Sequence, residues 1–250
     1  MAHGDRLVHL AAVMSTTISA TRTAADAGTE LAPAVEARSL YRFFRAGDEE
    51  VLALRGVSLT LCPGEVVAVV GPSGSGKSTL LACLAGLDEP DGGTVWVGGQ
   101  RISHQPENSR SRLRARYIGV LYQDRNLLAH LTVEQNILLA QRIAGGCPST
   151  HPTVLLASLG IADRGAAQPD QLSGGELARA GLAVALANDP LVVLADEPTG
   201  ELDTSTEADV LAVLRAHAAA GAAIMIASHS PAVAAGADRV IGLADGQVVS

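Results

Sequence analysis

Short, fully apolar segments alternate along the chain with segments of helical pattern, and each apolar segment ends in polar residues. The clearest are VVAVV at 66–70, LVVLA at 191–195 and AAIMIA at 222–227. Apolar runs of this length without alternation predict strands buried on both faces, as in a parallel sheet covered by helices. The pattern therefore predicts a doubly wound α/β fold, in which ligands bind at the carboxyl ends of the strands.

Two further regions have the pattern of antiparallel strands. VEARSLYRFF, from residue 35, and VLALRGVSLTL, from residue 51, are separated by the turn-rich AGDEE. This arrangement predicts two neighbouring strands near the start of the domain. RVIGLADGQVV at 239–249 predicts a hairpin around Asp245-Gly246, a dipeptide typical of tight hairpin turns.

The remaining regions fix the expected domain organisation. Residues 124–180 carry mostly helical patterns, including NLLAHLTVEQNILLAQRI and VLLASLGI, and predict a helical lobe inserted between strands. Residues 1–34 are rich in Ala and Thr without a sustained period, which predicts a flexible leader. No apolar run approaches the roughly 18 residues that span a bilayer, so we expect any membrane role to come from a partner.

Composition and charge narrow the class of protein. Apolar residues make up 48% of the chain but aromatic residues only 2%, so the core must consist of Ala, Val, Leu and Ile. The net charge of −8 argues against a nucleic-acid partner, and the arginines within 110–116 are interpreted as a solvated helix face. Cys62, Cys83 and Cys147 are scattered without metal-ligand spacing, which favours a reducing compartment.

The residues GPSGSGKS at 71–78 match GxxxxGK(S/T) between a predicted strand and a predicted helix. Glycines let successive backbone N–H groups turn inward and form an anion nest, and the following helix adds the positive end of its dipole. We expect Lys77 to reach the β- and γ-phosphates of a nucleotide and the Ser78 hydroxyl to bind Mg²⁺. The expected phosphate-binding residues are Gly71, Pro72, Ser73, Gly74, Ser75, Gly76, Lys77, Ser78 and Thr79.

A second polar motif, LADEP, follows the apolar run that starts at Leu191. Since side chains alternate along a strand, Asp196 and Glu197 are expected to point to different sides and to have different roles. Asp196 suits Mg²⁺, as the acidic partner of Ser78, and Glu197 could orient or deprotonate the water that attacks the γ-phosphate.

The motif LSGGE at 172–176 lies between the phosphate loop and the acidic strand end, and in this order the sequence resembles the ATP-binding-cassette (ABC) ATPases. The resemblance extends over residues 35–250. It implies a P-loop NTPase (RecA-like) fold, in which a mostly parallel sheet core carries an N-terminal antiparallel β subdomain and an inserted helical subdomain at about 124–180.

The resemblance also implies roles for residues outside the phosphate loop. Gln123 matches the family's glutamine loop, which touches Mg²⁺ near the membrane partner, and Asp203 belongs to its D-loop. His229 matches the switch histidine that contacts the γ-phosphate. The catalytic residues implied in this way are Glu197, His229, Lys77 and Gln123, and the implied Mg²⁺ ligands are Ser78, Gln123 and Asp196.

An aromatic residue of the family stacks on adenine, and Phe44 occupies that position here. Tyr41 and Phe43 are the alternatives. Together with the phosphate loop, Phe44 and Asp203, the residues Ser173, Gly174 and Gly175 of the LSGGE motif are expected to bind ATP.

Four features depart from the family pattern. The usual Gln-rich stretch after LSGGE is LARAGLAV, which keeps only Arg179 of its polar residues. The usual aspartate after the switch histidine is Ser230, and the D-loop carries Glu201 where Asn or Ala is commoner. The helical lobe is also about one turn short near 146–153.

Within the family, the chain is similar to ATPase subunits that serve lipoprotein-releasing and macrolide-exporter type permeases. The resemblance implies an ATP-dependent homodimer in which two copies pair head-to-tail, residues 173–175 of one copy facing the phosphate loop of the other. It further implies an integral-membrane permease partner and a cytoplasmic location at the inner face of the membrane. The alternative is a non-transport ABC ATPase that drives a soluble assembly or a cell-division complex.

Overall fold

The computed structural model describes residues 32–46, 49–123, 126–145, 150–200 and 202–249. Most of the predicted leader, together with Cys147 and Glu201, lies outside these ranges. The strands within them are β1 (Val35–Ala46), β2 (Glu49–Leu61), β3 (Val66–Val70), β4 (Gly92–Val97), β5 (Gln100–Arg101), β6 (Ile118–Leu121), β7 (Val192–Asp196), β8 (Ala223–Ala227), β9 (Arg239–Ala244) and β10 (Gln247–Val248).

The strands form two sheets. The larger has the order β10-β9-β3-β8-β7-β6, with all neighbours parallel except β10, which pairs antiparallel with β9. The smaller is antiparallel, in the order β2-β1-β4-β5. The predicted strand pair at 35–61 and the hairpin around Asp245-Gly246 are therefore confirmed, as is the mostly parallel core.

The helices are α1 (Lys77–Leu84), α2 (Glu107–Tyr117), α3 (Val133–Ala144), α4 (Pro152–Ser158), α5 (Gly174–Leu186), α6 (Thr204–Ala219) and α7 (Pro231–Gly236). Helices α3 to α5 follow β6 and precede β7, where the sequence predicted a helical lobe. In the described ranges, no helix has the length and apolar character required to cross a bilayer.

The parallel sheet is buried on both faces. In β3, Val67 and Val69 belong to the core shared with α1 and the antiparallel sheet. Val66 and Ala68 belong to a second core, shared with α3 to α7. This two-sided burial explains why the strand segments are apolar throughout instead of alternating.

Helix α3 begins later than its apolar pattern predicts. The apolar pattern predicts a helix from residue 126 onward, but the helix starts at Val133. Thr132 ends the preceding segment with a capping box, because its Oγ1 accepts the N–H of Gln135 at 3.2 Å and its own N–H donates to Gln135 Oε1 at 2.9 Å. Leu127 packs on the second core from outside any helix, which accounts for the apolar pattern.

The arginine cluster lies on helix α2, and the prediction of a solvated face is only partly confirmed, because the side chains of Arg110 and Arg114 are 16% and 22% exposed. None of the residues of α2 is buried. Arg110 pairs with Glu89 and Glu107, and Arg114 pairs with Glu107 at 3.2 Å. Hydrogen bonds from Arg110 and Arg114 hold the pKa of Glu107 below its ordinary value. Carboxylates of the same chain therefore partner two of these arginines.

Gly119 in β6 tests how closely α5 packs on the sheet. A Cβ atom at this position would lie 2.2 Å from the carbonyl oxygen of Ala185, a backbone atom of α5. We expect Gly119→Ala to lower the free energy of unfolding by about 1–3 kcal/mol, measured by denaturant titration. Gly236→Ala is the control, since no atom lies within 4 Å of its added Cβ. A Gly119→Ala protein as stable as the wild type would contradict this packing.

Candidate active site

One cleft of about 560 Å³ lies where the loops after β3, β6, β7 and β8 meet. Because these strands are parallel neighbours, their carboxyl ends share one edge of the sheet. The residues predicted from the sequence that line this cleft are Phe44, Ser73, Gly74, Gly76, Lys77, Ser78, Thr79, Gln123, Asp196, Glu197 and His229.

The phosphate loop presents backbone donors to the cleft. Gly76 caps α1 with a left-handed φ of 102° and offers no side-chain acceptor to the first helical turn. The N–H groups at this end of α1 therefore lack the partner that a capping side chain would supply. A Cβ on Gly76 would also lie 2.5 Å from the carbonyl oxygen of Ala53, so only glycine fits.

Lys77 lies directly behind this loop. Its Nζ donates to the carbonyl oxygens of Gly71 at 2.8 Å and Pro72 at 3.1 Å, and the side chain is buried. Ser75 belongs to the loop but does not line the cleft, and its buried Oγ has no hydrogen-bond partner among the described residues. A buried cation and open helical N–H groups together suit a multiply charged anion such as a polyphosphate.

The two adjacent carboxylates line the same cleft, and the prediction that they point to different sides is wrong. Asp196 is the last residue of β7, and Glu197 has a left-handed φ of 48°. The backbone therefore leaves the extended conformation between them, and strand alternation no longer applies.

Glu197 is held by two neighbours from the loop after β8. Its Oε1 lies 2.7 Å from Nδ1 of His229, and its Oε2 accepts the hydroxyl of Ser228 at 3.1 Å. Ser228 is 1% exposed, so this hydroxyl is a fixed part of the site. The Glu197 side chain is 11% exposed and that of His229 is 75% exposed, so the imidazole extends into the cleft from a buried carboxylate.

Three oxygen-bearing side chains suited to Mg²⁺ also line the cleft. They are the hydroxyl of Ser78, the carboxylate of Asp196 and the amide of Gln123, which come from α1, the end of β7 and the segment after β6. Magnesium prefers a few protein oxygens and completes its coordination with phosphates and water. The donor set therefore fits a nucleotide-bound magnesium ion.

The three aromatic residues of β1 differ in whether they line the cleft. Phe44 lines the cleft beside Val51 and Leu52 of β2, and the guanidinium of Arg42 lies 4.7 Å from the centre of its ring. Tyr41 packs over Gly56, away from the cleft lining. Phe43 is also absent from the lining. Of these three side chains, Phe44 is the one available to stack on a base.

One wall of the cleft consists of residues that the sequence did not indicate as part of the site. Asp245 and Gly246 line it together with Ala53 and Arg55 of β2. The N–H of Gly246 donates to the carbonyl oxygen of Ser75 at 3.0 Å, which attaches the β9–β10 turn to the phosphate loop. The Asp-Gly dipeptide indicated this turn, but its approach to the loop depends on contacts distant in sequence.

The other predicted ATP-binding residues lie outside this cleft. Ser173 and Gly174 are exposed at the start of α5, and Asp203 caps α6 by accepting the N–H groups of Ser205 at 3.0 Å and Thr206 at 3.1 Å. The structure therefore brings the phosphate loop, Asp196, Glu197, His229 and Gln123 together and separates from them residues 173–175 and Asp203.

The start of α5 is organised around Glu176. Its Oε2 accepts the N–H and the hydroxyl of Ser173, at 2.9 and 3.0 Å, and its Oε1 accepts Nε of Arg164 at 2.7 Å. The backbone N–H of Ser173, Arg164 and the Ser173 hydroxyl together lower the pKa of Glu176 to about 2.

Comparison with known proteins identifies relatives over most of the chain. The model of a family described as ABC transporter matches residues 54–200. The macrolide export ATP-binding/permease protein MacB of Shigella flexneri is 42% identical over 222 residues, which cover 88% of this chain and 34% of that protein. MacB of Burkholderia pseudomallei strain K96243 is 41% identical over 220 residues, covering 87% and 34%. The chain thus spans about a third of the length of these relatives.

Solved structures give the same result for the fold. A dimeric bacterial ABC transporter cassette, MJ0796, matches with a TM-score of 0.80 and 31% identity, covering 86% of this chain and 97% of that one. A dimeric post-hydrolysis state of the same cassette, bound to ADP and Pi, matches with a TM-score of 0.79 and 32% identity over the same shares.

The lowered pKa of Glu176 gives a prediction about pH. Its folded value of about 2 lies below the ordinary 4.5, so the ionised carboxylate contributes stability above pH 4.5 that is lost as the pH falls toward 2. We expect the stability difference between the wild type and Glu176→Gln to be full at about pH 6 and to shrink steadily below the ordinary pKa, in denaturant titrations across pH. A difference independent of pH would contradict the assignment.

Proposed function

We propose that this chain, which belongs to the ABC transporter family, is the ATP-binding and ATP-hydrolysing cassette of a transport complex. The proposal rests on one observation above all, the convergence of the phosphate loop, Asp196, Glu197 and His229 on a single cleft. The likeness to a cassette bound to ADP and Pi supports hydrolysis as the reaction.

In this proposal the triphosphate of ATP binds over residues 71–79. The N–H groups at the start of α1 donate to phosphate oxygens, and the ammonium of Lys77 exchanges the carbonyl oxygens of Gly71 and Pro72 for the β- and γ-phosphates. The adenine stacks on the ring of Phe44. The Arg42 guanidinium, 4.7 Å from the centre of this ring, also contacts it.

Ser78, Asp196 and Gln123 would hold Mg²⁺ in the same cleft. The negative charge on the transferring phosphoryl group is neutralised by this ion when it is bound. The residues of the chain have a separate task, which is to place the phosphate chain and the attacking water in line.

Glu197 acts on the attacking water. Its carboxylate orients the water and accepts its proton, while His229, 2.7 Å from the same carboxylate, extends toward the γ-phosphate. The hydroxyl of Ser228 fixes the second oxygen of Glu197, so the carboxylate cannot turn away from the cleft. Catalysis in this arrangement is positioning and electrostatic stabilisation.

Two copies of the chain would form the complete ATP sites, paired head-to-tail around a two-fold axis. Residues 173–175 are outside the cleft of their own chain, and Ser173 and Gly174 are exposed, which leaves them available to the ATP of a second copy. The dimeric MJ0796 cassette supports this assembly. ATP then favours the closed dimer because both copies contact it there.

A membrane permease would be driven by the closing and opening of this dimer. The MacB relatives are ATP-binding/permease proteins of which this chain matches about a third. We therefore propose that the chain acts at the inner face of the membrane, where Gln123 and helices α3 to α5 transmit the state of the ATP site to an integral-membrane permease of an exporter or extractor.

The hydrolysis proposal is tested by Glu197→Gln. Glutamine keeps the size of the side chain but cannot accept the proton, so we expect turnover to fall by roughly 10²-fold or more while ATP still binds. Phosphate release at saturating ATP and nucleotide affinity measure the two effects. Lys77→Ala is the contrasting variant and should weaken ATP binding itself. Near-normal turnover of Glu197→Gln would assign the base to another group.

Gly174 tests the dimer. It is the first residue of α5, where an added Cβ would meet no atom within 4 Å, so the single chain tolerates a glutamate there. In the Glu197→Gln background, we expect Gly174→Glu to abolish the ATP-dependent dimer in sedimentation velocity, because bulk and negative charge face the ATP of the second copy. Gly236→Glu, at a similarly open glycine, should dimerise normally. ATP-dependent dimers of Gly174→Glu would contradict the head-to-tail arrangement.

A further inference from the structure

Glu207, in the first turn of α6, connects two loops of the active-site cleft. Its Oε1 accepts the hydroxyl of Thr199 at 3.0 Å and the hydroxyl of Ser230 at 2.7 Å. Thr199 follows β7 and is 4% exposed, and Ser230 follows β8. These are the two loops that carry Glu197 and His229, so one carboxylate oxygen joins the segments on which the proposed chemistry depends.

From Ser230 the connection continues to the proposed base. The N–H of Ser230 donates to Oγ of Ser228 at 3.0 Å, and that hydroxyl donates to Oε2 of Glu197 at 3.1 Å. His229 lies against the other oxygen of Glu197. Two hydrogen bonds of Ser230, one from its hydroxyl and one from its backbone N–H, therefore connect α6 through Ser228 to the carboxylate of Glu197.

A carboxylate is well suited to the start of this series. It only accepts hydrogen bonds, and each hydroxyl has a single proton to give, so contact with Glu207 fixes the rotation of both hydroxyl groups. With its proton directed to Glu207, Ser230 Oγ can accept, and it accepts the N–H of Ala232 at 3.2 Å. Glu207 itself is anchored because Asp203 caps the same turn of α6.

The same observation accounts for the departure at position 230. The ABC ATPases that the sequence resembles usually have an aspartate after the switch histidine, and this chain has Ser230. Here a carboxylate still meets the residue at position 230, but it comes from α6. We propose that Glu207 is a positioning residue that holds the loops of Glu197 and His229 in place.

This inference rests on the proposed ATP hydrolysis, in which Glu207 does not touch the substrate. Glu207→Ala removes the acceptor of two hydroxyls and loosens Glu197 and His229, whereas the phosphate loop is unaffected. We expect kcat for ATP hydrolysis by the full chain to fall roughly tenfold, since small displacements of catalytic groups are costly, while KM for ATP changes less than about twofold.

A second substitution provides a rescue that a loss of stability alone would not show. Aspartate at position 230 has its carboxyl carbon where Ser230 Oγ lies, and its oxygens reach one bond further toward the vacated position of the Glu207 oxygen. We expect Glu207→Ala with Ser230→Asp to recover kcat to within about threefold of the wild type. Ser230→Asp alone should lower kcat, because its carboxylate would face that of Glu207.

Asp209→Ala is the matched control, since it removes an exposed carboxylate from the same helix and should leave kcat, KM and the unfolding temperature unchanged. If Glu207→Ala fails to fold, Glu207→Met keeps the length without an oxygen to accept either hydroxyl, and a reduced kcat at unchanged KM supports the proposal. The proposal is overturned by an unaffected kcat, by equal changes in kcat and KM, or by a double variant no faster than Glu207→Ala. Wild-type protein without Glu197-dependent turnover would instead overturn the proposed hydrolysis itself.

Discussion

Parallel strands buried on both faces leave no place for polar side chains except at their ends, and this constraint governs the molecule. In strand β3, Val67 and Val69 pack on one core and Val66 and Ala68 pack on the other. The interior of the strand therefore has no position for a polar catalytic side chain. The neighbours β8 and β7 are equally buried. Because all these strands run in one direction, the phosphate loop, Asp196 and the segment with His229 emerge at one edge.

The antiparallel sheet turns this edge into a cleft. A Cβ atom added to Gly76 would lie 2.5 Å from the carbonyl oxygen of Ala53 in β2, and one added to Gly246 would lie 2.6 Å from the same oxygen. Two glycines from distant parts of the sequence are therefore required by one backbone oxygen. Close packing of β2 therefore requires glycine in the phosphate loop in addition to the proposed close approach by a phosphate.

Features that depend on local sequence could be predicted, and those that depend on register or long-range contact could not. Apolar runs, the phosphate loop and the Asp245-Gly246 turn are local, and the structure contains each of them. Asp196 and Glu197 share a face because one residue has a left-handed φ, which no strand pattern indicates. Phe44 could not be separated from Phe43 because β1 shifts register between Arg42 and Phe43. Glu207 contacts Ser230 across 23 residues, without a motif.

The two glycine-rich loops of the chain differ in what requires their glycines. At Gly76 a left-handed φ and the Ala53 carbonyl exclude any other residue within the single chain. At Gly174 the φ is not left-handed and no atom lies within 4 Å of an added Cβ, so neither strain nor crowding within the chain requires glycine. Nothing within one molecule therefore requires glycine at this exposed helix start, whereas the proposed dimer would require it, because there a second molecule brings a phosphate against this position.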